Sequence, residues 1–184
     1  VVLSKVLQEG KLEKLVIVRD AKHNRKTRTV SIEGERRIIS LAKSLFENFI
    51  DPRPTLVEHF PDLMPSIGIL TSPVKWIKET ADLLARRLQF KKKQIKVTEE
   101  NLLHHNPPAK RTDINAVIEL IKDRKEQIVI VVANSSLANV IALRFTKRGK
   151  DGARFKGFEL LSSNLDEGEA WLIDFEEESI SHIF

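Results

Sequence analysis

The run Ile128-Val129-Ile130-Val131-Val132 constrains the fold of this chain more than any other stretch. It is the most strongly β-branched run present, and β-branched side chains fit a pleated surface better than a helix. An apolar strand without alternation belongs in the middle of a parallel sheet covered on both faces. A second run, Leu15-Val16-Ile17-Val18, is also apolar but ends in the pair Arg19-Asp20, then Ala21 and a polar turn. Charge at the carboxyl end of a buried strand, followed by a helix, is how an open α/β sheet builds a ligand site.

The rest of the chain repeats the strand and helix alternation, with no internal repeat and no low-complexity linker. A helix is expected from about Gly34 to Ile50, with Ile38, Leu41, Ala42, Leu45 and Phe49 on one stripe. Asp51-Pro52-Arg53-Pro54 ends it, because proline lacks a donor and disfavours helix in the residue before it. An irregular stretch follows through Phe60 and Pro65. Ile67 to Leu70 reads as the next strand. Ser72-Pro73, a hydroxyl cap followed by proline, starts a helix to Leu88 with Val74, Ile77, Ala81, Leu84 and Leu88 inward. Ile95 to Val97 is a short strand, and Pro107-Pro108 breaks the chain. Thr112-Asp113 start a helix burying Ile114, Val117, Ile118 and Ile121. A further helix spans about Ser136 to Phe145, and Phe158 to Leu161 and Trp171 to Phe175 read as late strands. The sum is a three-layer α/β/α sandwich with a mostly parallel central sheet, in one domain over 1–184, with 1–13 as an N-terminal extension.

Composition narrows the class. The 184 residues, 41% of them apolar, suffice for one domain with a substantial core. Charged residues make up 31%, and no apolar run approaches the ~20 residues of a membrane span, so no membrane partner is expected. Without cysteine, disulfides and thiolate metal sites are excluded, and a reducing compartment is allowed. The opening Val1-Val2-Leu3-Ser4, without Met, is expected of a processed or trimmed chain. The expected location is intracellular, the cytoplasm or a mitochondrion or other organelle. Net charge is +5, but unevenly spread. Basic residues cluster in His23 to Arg28, in Lys91-Lys92-Lys93 with Lys96, and in Arg144 to Lys156, whereas Asp166 to Glu178 holds no Lys or Arg. Such a split favours a polyanionic partner on one face and a cationic one on another, unless the clusters are only solvated loops and helix ends.

After the Arg19-Asp20 pair, four motifs occur in order along the chain. Val30-Ser31-Ile32-Glu33-Gly34 is similar to the Leu-Thr-x-x-Gly that opens the first helix of SixA-type phosphohistidine phosphatases. Ser72-Pro73 through Glu79-Thr80-Ala81 is similar to Ser-Pro-x-x-Arg-x-x-Gln-Thr-Ala, and Ile128 to Asn134 to the strand that ends in Gly-His. Arg19-Asp20-Ala21 stands where the first strand ends in Arg-His-Gly or Arg-His-Ala. Even the ending, Ser162-Ser163-Asn164 and then Trp171-Leu172-Ile173, looks like the closing hairpin. Over nearly its whole length the chain resembles the histidine phosphatase, or phosphoglycerate mutase-like, superfamily in its compact SixA branch.

The resemblance implies a phosphate-handling cleft, with a first-strand histidine as nucleophile and arginines and a second histidine holding the phosphoryl oxygens. Arg19 matches the first arginine. The nucleophile position is Asp20, the Ser-Pro arginine position is Trp76 with Lys75 before it, and the Gly-His histidine position is Asn134 after Ala133. Arg25 or Arg28 would stand for a loop arginine. Phosphoryl transfer is chiefly positioning plus stabilisation of negative charge. A carboxylate about 4 Å from another unit negative charge costs roughly 4 kcal/mol at an effective dielectric near 20. Asp20 is therefore expected to oppose the family's ligand, and to form a structural ion pair with Arg19, Lys22 or Lys75. An aspartyl-phosphate formed on Asp20 is the minor alternative.

Other groups are weaker candidates. His23 reads as a solvated loop residue, with a substitute acid or base as the alternative. His104-His105 point apart on an extended chain and lack further ligands at zinc spacing, so no metal is expected. Ser135 and Ser136 read as caps of the following helix, their amides offering an anion site in the other reading. Glycines are too scattered for a phosphate loop, and no cofactor is expected. Trp76 would plug the old pocket or stack a base. Two function classes remain. One is a degenerate phosphatase fold kept as a binding or structural module, a subunit of a larger assembly touching RNA or an acidic protein surface. The other is an active phosphohistidine or small-phosphoester phosphatase recruiting Arg19, Arg25, Arg28, Lys75 and His23. With no tyrosine and 6% aromatic residues, RNA contact would go through the backbone.

Overall fold

A computed structural model describes residues 12–47, 65–88, 95–103 and 111–184. Its centre is a six-stranded sheet in the order β5-β4-β6-β1-β7-β8. The strands are β1 (Lys14–Arg19), β4 (Ile67–Thr71), β5 (Lys96–Glu99), β6 (Ile128–Ala133), β7 (Ala170–Asp174) and β8 (Ser179–Ile183). The first four in spatial order are parallel, and β7 and β8 close one side as an antiparallel hairpin. Every residue of β6 is buried, as its unbroken apolar run requires, and it lies between two parallel neighbours.

Alternation along the strands divides the core in two. Val16, Val18, Ile69, Ile130, Val132 and Leu172 face α1 (Ile32–Leu45) and α2 (Lys75–Leu88). Leu15, Ile17, Leu70, Val129, Val131 and Trp171 face α3 (Arg111–Lys122) and α4 (Ser135–Thr146). The expected stripes are the buried ones: Ile38, Leu41, Ala42 and Leu45 on α1; Ile77, Ala81, Leu84 and Leu88 on α2; Ile114, Val117 and Ile121 on α3. Val74 and Ile118 are half-buried at the edges of these faces. The layers are thus α/β/α, as the alternation of apolar runs predicts.

Several boundaries differ from the sequence expectation, each for a local reason. Phe158 to Leu161 is not a strand but part of a 3₁₀ turn, Phe158–Ser162. Gly157 enters it at φ +83°, and a Cβ there would meet the Ile180 carbonyl at 2.6 Å, so the chain must turn where the apolar residues suggest extension. The expected strand at Ile95 begins one residue later, and that at Trp171 one earlier. α1 starts at Ile32, before Gly34, because Ser31 caps it by accepting the Gly34 N–H at 3.1 Å. β8 and a small hairpin, β2 (His23–Asn24) with β3 (Thr29–Val30), are additional elements. Leu12 and Glu13 are already tied to the sheet: Glu13 N–H donates to Gln127 O at 2.8 Å and Leu12 packs on the core. Residues 1–11 of the expected extension lie outside the described residues, as do Phe49, Pro52, Pro54, Phe60, Lys91, Lys92, Lys93, His104, His105, Pro107 and Pro108.

The connections decide where a site can form. β1 and β4 are followed by helices on one face of the sheet, and β6, between them, by α4 on the other. Neighbouring strands whose exits diverge leave a crevice beyond their carboxyl ends. Arg19-Asp20 and Ala133-Asn134 stand there.

Candidate phosphate cleft at the strand ends

β1 and β6 remain paired to their last residues, Arg19 opposite Ala133, and Asp20 N–H then donates to Ala133 O at 2.9 Å. This backbone bond puts Asp20 beside Asn134. The third expected member arrives from α2: Trp76 Nε1–H donates to Asp20 Oδ2 at 3.0 Å. Asp20, Trp76 and Asn134, 114 positions apart at the extremes, are therefore neighbours at one end of the sheet, as the motif correspondence requires.

The Ser-Pro-to-Thr-Ala motif performs this placement. Ser72 Oγ accepts the Val74 N–H at 3.2 Å, and the regular helix begins at Lys75, two residues after the proline expected to start it. One turn after Trp76, Thr80 Oγ1 donates to Trp76 O at 2.8 Å and accepts the Ala21 N–H at 3.1 Å. Glu79 Oε2 accepts the Val30 N–H at 2.8 Å. Glu79 and Thr80 thus clamp both ends of the 21–30 segment on α2, and the Trp76 ring is held over the β2–β3 hairpin.

His23 is the residue that sequence reasoning placed wrongly. It is not a solvated loop histidine: its ring stacks on Trp76 with centroids 4.5 Å apart and planes 13° from parallel. Its Nδ1 is buried without a hydrogen-bond partner among the described residues. The ordering signal lies outside its own neighbourhood, in the clamp from Glu79 and Thr80. Trp76 is accordingly packed between a carboxylate at its Nε1 and an imidazole at its face.

The expected ion pairs of Asp20 are also corrected. Lys22 pairs with Glu33 at 2.6 Å, Lys75 is exposed, and among the described residues the one side chain hydrogen-bonded to the carboxylate is the indole. Burial pushes the Asp20 pKa above the ordinary carboxylate value of 3.8. The Trp76 bond and the charges of Arg19 and His23 pull the other way without prevailing, and Glu167 adds to the rise. Arg19 is half-buried and committed elsewhere. Its Nη1 donates to Leu165 O, its N–H donates to Glu169 O at 3.0 Å, and its carbonyl accepts Gly168 N–H at 3.2 Å. The loop before β7 is thereby laced across the end of β1, while Arg19 Nε is buried and unpartnered among the described residues.

Asn134, not Ser135 or Ser136, caps α4: its Oδ1 accepts the Leu137 N–H at 3.0 Å and the Ser136 hydroxyl at 3.1 Å. The two serines are the first residues of the helix. The strand ends at Ala133, so Asn134 is the residue with extended φ and ψ at the turn, and the cap falls to it. Arg25 and Arg28 are exposed on the β2–β3 hairpin. Asn24 Oδ1 organises that tip by accepting Lys26 N–H at 2.9 Å, and Arg28 takes φ +54°. Among the described residues no group of His, Asp and Glu side chains could hold a metal, and no helix is long and apolar enough to cross a membrane.

A pH prediction follows from Asp20. With its folded pKa above the unfolded value, the folded chain keeps a proton that the unfolded chain has released. The group's favourable contribution is complete below the unfolded pKa and is lost as pH rises through the folded one, so at neutral pH the half-buried carboxylate is a cost. Asp20→Asn keeps an acceptor for Trp76 without the charge. It is expected to raise the thermal midpoint by a few degrees at pH 7, with the gain shrinking as pH approaches the acid end. A lower midpoint at pH 7 would mean that the attraction of Arg19 and His23 outweighs burial.

No family model matches the chain, and no curated protein matches it by sequence. Solved structures do. A structure named as the phosphohistidine phosphatase SixA of Nakamurella multipartitia is 11% identical with a TM-score of 0.63, over 96% of this chain and 98% of that one. The protein histidine phosphatase SixA complexed with tungstate is 10% identical with a TM-score of 0.59, over 93% and 94%. A phosphoglycerate mutase from Plasmodium falciparum is 14% identical with a TM-score of 0.53, over 92% and 87%. Near-complete coverage at TM-scores of 0.53 to 0.63 shows that this chain has the fold shared by these SixA phosphatases and the phosphoglycerate mutase.

Proposed function

We propose that this chain keeps the phosphatase scaffold as a binding or structural module and has lost phosphoryl transfer. The observation that carries this reading is the 3.0 Å bond from Trp76 Nε1 to the Asp20 carboxylate, at the position corresponding to the family's nucleophile. A carboxylate there repels a phosphate dianion, and the indole replaces a cation that would hold one. Arg19, the retained arginine, is bound to a backbone carbonyl of the neighbouring loop.

The second reading, an active phosphatase with displaced machinery, is supported by the comparisons, because several of the structural neighbours are named as phosphatases. His23 supplies its chemistry: a half-buried imidazole beside Asp20, with a buried Nδ1. Arg25, Arg28 and Lys75 would then close over a bound phosphate, though all three are exposed.

Hydrolysis of a generic aryl phosphate and of phosphohistidine separates the two. The purified chain is expected to show no turnover above the protein-free rate, with Arg19→Ala, Asp20→Asn and His23→Ala indistinguishable from it. Turnover by the parent that disappears in Arg19→Ala or His23→Ala establishes the phosphatase reading instead.

A further inference from the structure

A second charged surface lies at the opposite end of the sheet from the cleft. α4 leaves the cleft at Ser135 and runs 12 residues, about 18 Å, before the chain turns at Lys147. Arg144, Lys147, Arg148, Lys150, Arg154 and Lys156 are all exposed there, against a single exposed carboxylate within the segment, Asp151. Among the described residues none of the six takes part in an ion pair.

The backbone beneath these cations is built. Gly149 N–H donates to Ala153 O at 2.6 Å, Gly152 N–H to Gly149 O at 3.0 Å, and Phe155 N–H to Thr146 O at 3.3 Å. Lys156 is stitched to the start of β8 and the residue before it: its N–H donates to Glu178 O at 2.9 Å and its carbonyl accepts Ile180 N–H at 2.8 Å. The Glu178 carboxylate accepts the Lys150 backbone N–H at 2.7 Å. Arg154 lies over the Phe158 ring at 4.8 Å. Glu178 thus holds the loop's backbone, while Glu176 and Glu177 just before it are exposed carboxylates at the rim of the patch.

We propose that the 144–156 loop is a docking surface for the phosphate backbone of a nucleic-acid duplex. Within 144–156 the patch offers charge without an exposed ring or large aliphatic side chain: Phe145 is half-buried, Phe155 is buried, Phe158 is half-buried beneath Arg154, and the part-exposed Leu143 and Leu160 flank the loop on either side. A protein interface would want an aromatic or aliphatic anchor and few lysines. Single-strand binding would want open rings on which bases stack. Unpaired cations on a hydrogen-bonded frame suit a regular row of phosphates, read by shape and not by sequence. The proposal rests on the loop alone and stands whichever reading of the cleft holds.

The test is fluorescence anisotropy with generic RNA and DNA duplexes of about 20 base pairs, at roughly 50 to 200 mM salt. If four phosphates are neutralised, affinity should fall roughly 100-fold over that range, since each contact contributes about 0.9 to the salt slope. The variant Lys147→Gln, Arg148→Gln, Lys150→Gln, Arg154→Gln should lose most of the affinity and nearly all of the slope. A matched control removes four exposed cations from other elements, Arg36→Gln, Lys43→Gln, Arg87→Gln and Lys125→Gln, and should bind like the parent. Both variants remove four from a net charge of +5, so the pair separates a local surface from bulk charge. Circular dichroism confirms that both fold. Absence of binding at the lowest salt overturns the proposal, as does equal loss in the two variants. Displacement of the duplex by polyglutamate at equal charge overturns it in favour of an acidic protein partner.

Discussion

Trp171→Ala is expected to cost about 3–5 kcal/mol in equilibrium urea unfolding, the largest loss from any single truncation in this chain. The ring is 1% exposed, the largest fully buried side chain, and it comes from β7. Its neighbour in register on β1 is Ile17, and on β8 His182. The His182 ring tilts against it at 5.0 Å, and Nε1 donates to Asn139 Oδ1 at 3.3 Å. Asn139 in turn donates to Asn164 in the loop before β7. Removing the indole therefore opens a cavity between the sheet and α4 and strips a polar link between that helix and the closing hairpin. Domains of this size are stable by only about 5–15 kcal/mol, so the variant should unfold at a much lower denaturant concentration. A loss below about 1 kcal/mol would mean that the ring is not where the core places it.

The parts of the fold legible in the sequence are those in which burial on two faces forces a run of apolar residues. β6 and the apolar body of β1 are such runs, and the helical stripes of α1 and α2 follow from the same logic. The β2–β3 hairpin was not legible. Its strands have two residues each and its tip is polar and exposed, so it carries no pattern of its own and exists because α2 clamps it. Phe158 to Leu161 misleads for the opposite reason: apolar residues suggest extension, but Gly157 turns the chain before it can extend.

The site divides in the same way. That Asp20, Trp76 and Asn134 come together at one end of the sheet follows from motif order, because each sits at a strand exit or the helix after one. Their bonding does not follow. Charge complementarity suggested Arg19, Lys22 or Lys75 as partner for Asp20, yet the indole donates the bond. Trp76 reaches the carboxylate because Thr80, one turn on, grips the amide of the residue following it. Such a geometry depends on tertiary placement across 56 positions, and no local propensity encodes it.

Gly34→Ala tests that placement and should run against helix propensity. Alanine in a helix normally gains about 0.8–1 kcal/mol over glycine. At Gly34, however, a Cβ would stand 2.3 Å from the Lys22 carbonyl oxygen and 3.1 Å from its nitrogen, and both are backbone atoms with little freedom to yield. That carbonyl accepts two bonds, from Ser31 N–H at 2.8 Å and from the Ser31 hydroxyl at 2.9 Å. Ser31 is also the cap of α1. To admit the methyl group the Lys22 peptide must move off the helix. The strain of overpacking, about 1–3 kcal/mol, then adds to two weakened hydrogen bonds of about 1 kcal/mol each. After the propensity gain the expected net loss is about 2–4 kcal/mol. His23 is the next residue, so the same movement pulls its imidazole from the face of Trp76, and tryptophan fluorescence should report the unstacking in the still-folded variant. A variant as stable as the parent, with unchanged emission, would show that the hairpin is not pressed against the first turn of α1. The cleft would then lose the contact that holds its imidazole in place.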